Sequence, residues 1–212
     1  MDDVRFIRTA GLWCVVGGLI TAIGAVVTAS IPSSVPAGSL SAPYTPGTFI
    51  ATQVLWAIGH ALMFLGTLGL ARSDAAGPSR LGRIGLGIAL LGMAAIVPCQ
   101  LAFTFAATET EESTPGLILS SAIGTATMVA ALGFLLAGSA VLRAGRWHGW
   151  RRLTPLLCGL VPYVALLPTL VFAPDHFLWP LAAWSACFVL FGLALHQQPS
   201  AAHQASLSAT PA

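Results

Sequence analysis

Residues 49–71, FIATQVLWAIGHALMFLGTLGLA, decide the fold. The run carries no charge and is long enough to cross the ~30 Å hydrocarbon core of a bilayer. Within it Gln53, Trp56, His60 and Thr67 follow at intervals of three, four and seven, which at 3.6 residues per turn puts them on one helical face. The remainder is Leu, Ala, Ile, Val and Phe. A polar side chain in lipid is costly, so this face is expected to turn toward other helices or a cavity. Two readings of it stay open: modest polar contacts between helices, or one wall of a pocket.

Composition extends the reading to the whole chain. Mean hydropathy is +0.85, and 56% of residues are apolar while 8% are charged. Soluble globular chains carry about a quarter charged residues, so the chain reads as an all-α integral membrane protein. A net charge of +2 is too small for a nucleic-acid partner, and no basic run is interleaved with aromatics. Lysine is absent. The arginines form three clusters: Arg5 and Arg8; Arg72, Arg80 and Arg83; Arg143, Arg146, Arg151 and Arg152. Cys14, Cys99, Cys158 and Cys187 sit singly in four apolar runs, and without a paired, accessible thiol they read as small hydrophobes.

Six spans are expected, at about 11–31, 49–71, 84–106, 117–142, 153–173 and 177–195, in a single transmembrane domain over 1–196. The start resembles a secretory signal, but the apolar run exceeds a typical h-region of about 7–15 residues and reads as an uncleaved span. Residues 32–48, rich in Pro, Ser and Gly with Tyr44 between two prolines, form a long uncharged loop, a candidate cover. Pro162 and Pro168 are expected to kink the fifth span and free backbone carbonyls. Residues 197–212 read as a disordered tail. With six spans all nine arginines share one side with both termini, while Glu109, Glu111, Glu112 and Asp175 lie on the other. The positive-inside rule then places both termini in the cytoplasm of a multi-pass cell-membrane protein. The lysine-free, Ala/Gly/Arg-rich composition resembles that of many small bacterial multi-span membrane proteins, a likeness that implies no activity.

Chemistry is harder to read. No two histidines share a depth suited to a haem, and His176 with Asp175 and the glutamates lacks a zinc-ligand spacing, so no metal and no cofactor are expected. Ser139 lies outside any G-x-S-x-G motif. Ion-coupled transport usually needs ionisable groups inside spans, and His60 stands alone there. The expected function is therefore an outer-side pocket of Gln53, Trp56, His60, Gln100, Tyr163 and Trp179 that binds or handles an apolar small molecule, or a role as membrane accessory subunit. The alternative is an enzyme doing acid–base chemistry on a lipid or isoprenoid, with His60, Glu109 and Asp175 as catalytic groups. The expected partners are the lipid bilayer, that small molecule, and another membrane subunit or a second copy of the chain.

Overall fold

The computed structural model describes residues 3–197, so the tail expected over 197–212 lies outside the described residues apart from Gln197. The helices are α1 Asp3–Ser30, α2 Pro46–Arg72, α3 Arg80–Ala102, α4 Thr114–Ala144, α5 Thr154–Val161, α6 Leu167–Phe172 and α7 Leu178–His196. With short 3-10 and π turns attached, they make six helical stretches long and apolar enough to cross a membrane. No strand forms among the described residues; a single bridge joins Ser39 to Thr110.

The helices outrun the apolar stretches that announced them. α1 begins at Asp3 rather than near residue 11, and α4 covers Thr114–Ala144 rather than 117–142, because helical hydrogen bonding continues through polar residues until a cap or breaker stops it. Ser113 stops α4 at one end by accepting from Gly116 N at 3.2 Å, and Gly145 at φ 65° stops it at the other. The expected loop over 32–48 is shortened for a related reason. α2 starts at Pro46, since a proline in the first turn gives up an amide hydrogen that has no helical acceptor anyway.

Successive spans pack side by side and α7 returns to α1, closing a ring. The closest seams are made by small residues. A Cβ on Gly11 of α1 would stand 2.6 Å from Gly192 O of α7, and one on Gly192 would stand 2.5 Å from Gly11 O, so the two backbones touch. Gly85 of α3 and Gly133 of α4 meet in the same reciprocal way. In lipid, where apolar burial between helices gives little net drive, this close backbone approach is a main source of association. The ring is filled by Phe134, Trp184, Phe188 and Phe191, with Met63, Met93 and Leu70 around them. Phe134 and Phe188 meet edge to face at 5.4 Å between centroids.

One end holds the arginines. Arg146 pairs with Asp74 at 2.7 Å, Arg151 donates two hydrogen bonds to Ala194 O at the end of α7, and Arg72 lies 4.2 Å over the Phe6 ring. These contacts tie both turns and the two terminal helices together at this arginine end. At the opposite, acidic end, the segment between α1 and α2 is clipped to the glutamate loop: Leu40 N donates to Glu109 O at 3.0 Å and Glu111 N to Gly38 O at 2.9 Å.

The fifth span stays helical but changes its hydrogen bonding at Pro162. α5 ends at Val161, a π turn covers Pro162–Leu166, and α6 resumes at Leu167. Pro162 has no amide hydrogen for Cys158 O, four residues back, and the Trp184 indole supplies it instead, donating to Cys158 O at 2.8 Å. Beyond the π turn α6 packs mainly against its flanking turns, and none of its residues is buried.

Candidate functional site

Periodicity in α2 places its polar face inward. Gln53, His60 and Thr67 are buried and Trp56 is partly buried. Gln53 Oε1 accepts a short hydrogen bond from Gln100 Nε2, so one cross-helix pair joins α2 to α3 near the acidic end. Two turns along, His60 Nδ1 donates to Trp56 O at 2.8 Å, a bond within the same helix. The Trp56 ring rests against Gly24 of α1, where a Cβ would collide with the indole edge. Its Nε1 is buried and has no acceptor among the described residues.

The segment between α1 and α2 roofs this region. Phe49, Phe103 and Ala107 form a small apolar cluster with Leu40, Tyr44, Leu119 and Ile123. Tyr44 OH and Thr28 Oγ1 lie 2.8 Å apart and share a hydrogen bond, while Thr28 also donates to Gly24 O at 2.7 Å. The segment expected as a candidate cover thus packs Leu40 and Tyr44 on Phe49, Phe103 and Ala107. The Thr28–Tyr44 contact was hidden, because neither residue belongs to a periodic pattern.

The remaining expected site residues do not converge. Tyr163 sits on the π turn and gives its hydroxyl to Met128 O of α4 at 2.9 Å. Trp179, at the start of α7, is 51% exposed. Glu109 lies in the loop clipped to the roof, engaged through its backbone, and Asp175 is exposed in the turn before α7. The structure therefore joins Gln53 to Gln100 across α2 and α3, keeps the His60 contact within α2 and sets the Trp56 ring against α1, and gives Tyr163, Trp179, Glu109 and Asp175 other surroundings. Among the described residues, no three His, Cys, Asp or Glu side chains gather as metal ligands would.

A larger space opens elsewhere. Between α3 and α4, in the half toward the acidic end, a groove of about 710 Å³ is lined by Leu91, Gly92, Ala95, Cys99, Leu117, Ile118, Ser121, Ala122, Thr125, Ala126 and Val129. It faces away from the ring, on the other side of α3 from Gln100, and none of the expected site residues lines it. Its volume lies in the range of about 300–1,000 Å³ usual for small-molecule sites. The walls are apolar except for Ser121 and Thr125, stacked one turn apart on α4 with both side chains exposed. Many helical hydroxyls here donate to the carbonyl four residues back, as Thr21, Thr67, Thr127, Thr169 and Ser185 do. Ser121 and Thr125 make no hydrogen bond among the described residues, which leaves two donors facing the groove. Ser121, Thr125 and Cys99 are legible in the sequence as residues of α3 and α4, but not as neighbours. Set against protein-family models, curated proteins and solved structures, the chain matches none of them.

Proposed function

We propose that this chain is an integral membrane protein, with its arginine end in the cytoplasm, that binds an apolar small molecule bearing one hydrogen-bonding group. The molecule enters sideways from the bilayer into the α3–α4 groove. The observation that carries the reading is the groove itself: apolar walls of ligand size, with the unpartnered hydroxyls of Ser121 and Thr125 at one place on them. An unpaired hydroxyl facing hydrocarbon is unfavourable, so an occupant that accepts or donates there is held more firmly than an alkyl chain alone.

The test uses a photoreactive long-chain alcohol in vesicles containing the full chain. Crosslinks should fall on the groove residues of α3 and α4, saturate, and be competed by unlabelled alcohol. Ala126→Phe, which fills the groove, should remove the saturable part. Labelling that never saturates and spreads equally over lipid-facing residues such as Phe105 and Phe172 would show only ordinary solvation by lipid.

A second reading puts the ligand inside the ring, under the roof. The buried Trp56 Nε1 without an acceptor favours it, because an occupant could accept from that donor. On this reading Gln53, His60 and Gln100 surround the ligand, and acid–base chemistry on a lipid or isoprenoid would run through His60. Conversion of such a substrate in membranes would separate an enzyme from a binder.

A further inference from the structure

At the arginine end a second hollow, of about 380 Å³, opens between the end of α2, the turn over 73–79 and the first turns of α3. Its lining is mixed, with Leu70, Ala71 and Leu86 apolar and Asp74 and Arg83 charged. The two charges are not equivalent. Asp74 is engaged twice by Arg146, through its carboxylate at 2.7 Å and its backbone carbonyl at 2.9 Å. Arg83 is exposed and makes no ion pair or hydrogen bond among the described residues. The hollow therefore offers one uncommitted guanidinium beside the apolar side chains of Leu70 and Leu86, at the level where the apolar runs of α2 and α3 give way to charge.

We propose that this hollow holds the phosphate group of an anionic membrane lipid. A guanidinium matches a phosphate through two parallel N–H donors, a geometry a point charge cannot copy. Leu70 and Leu86 meet the glycerol and upper acyl carbons, which a free phosphate lacks. Arg146 has a supporting part: by pairing Asp74 it removes the carboxylate that would repel the incoming anion. The site needs the helices to span a bilayer but is independent of the α3–α4 groove.

The test is native mass spectrometry of the full chain in detergent, titrated with dioleoyl phosphatidylglycerol or dioleoyl phosphatidylcholine. Both lipids carry the phosphate, but the choline cation of phosphatidylcholine cancels its charge and competes with the guanidinium, so the first phosphatidylglycerol should bind about fivefold more tightly, as one arginine facing one net negative charge at a lipid surface implies. Arg83→Gln should abolish the preference, while Arg152→Gln, on the other arginine-bearing connector, should keep it. If Arg83→Gln does not fold, Leu86→Trp, which fills the hollow and keeps the charge, must lose the preference instead. Two outcomes overturn the proposal: a preference that survives in both hollow variants, or one that falls equally in Arg152→Gln, which marks diffuse attraction by many arginines. Inorganic phosphate added as competitor should not displace the lipid. Displacement would identify a small-anion site and also overturn it.

Discussion

Gln53 and Gln100 offer the sharpest test of what the inward polar face of α2 does. Both are nearly buried, at 6% and 3% exposure, and the amide of one donates to the carbonyl of the other across α2 and α3. Replacing either by Leu removes this hydrogen bond and strands the opposite amide. Polar contacts between helices in membranes average about 0.6 kcal/mol and reach about 1.7, and an orphaned buried group adds to the loss. Each single variant should therefore cost about 1 kcal/mol. In Gln53→Leu/Gln100→Leu nothing is stranded, and two leucines pack where two amides did, so the double variant should lie within ~0.5 kcal/mol of the parent. The coupling energy is then about 1.5–2.5 kcal/mol, measured by reversible unfolding in mixed detergent–dodecyl sulfate micelles followed by tryptophan fluorescence. Single effects that add to within ~0.5 kcal/mol would refute the pairing. The same double variant separates the two binding readings. The groove reading expects saturable labelling by the long-chain alcohol to survive; its loss from a folded double variant would move the ligand inside, beside Trp56.

Two further outcomes follow from the fold and from the proposed orientation. Trp184→Phe should destabilise by about 1 kcal/mol, because Cys158 O loses its indole donor where Pro162 supplies none; in a Pro162→Ala background, which returns a backbone donor, the loss should shrink, and equal losses in both backgrounds would sever the link. Reporter fusions after Ala75, Gly145 and Ser200 should fluoresce as cytoplasmic proteins and fail as periplasmic phosphatases, and phosphatase activity at any one of them would overturn the proposed orientation.

The features readable along the chain are those that depend on neighbours within one helix. The six apolar runs follow from length and composition, because crossing hydrocarbon needs a certain rise and a near absence of charge. The inward turn of Gln53, His60 and Thr67 follows from a 3.6-residue period. The π turn in the fifth span follows from the missing amide hydrogen of Pro162. Only the tertiary structure decided which faces meet. Depth along a helix can be counted from its ends, but rotation and crossing are set by where small residues let two backbones touch, as Gly85 and Gly133 do between α3 and α4. That seam turns Gln100 inward to Gln53 and leaves Cys99, one residue earlier, in the groove opposite Ser121 and Thr125. A second seam, where Gly159 of α5 lies against the α4 backbone at Ala131 and Leu135, sets the fifth span on α4, and there Tyr163 gives its hydroxyl to Met128 O instead of joining the polar face. A helix presents every side of itself to its own sequence, and only the partner helix selects which side becomes a site.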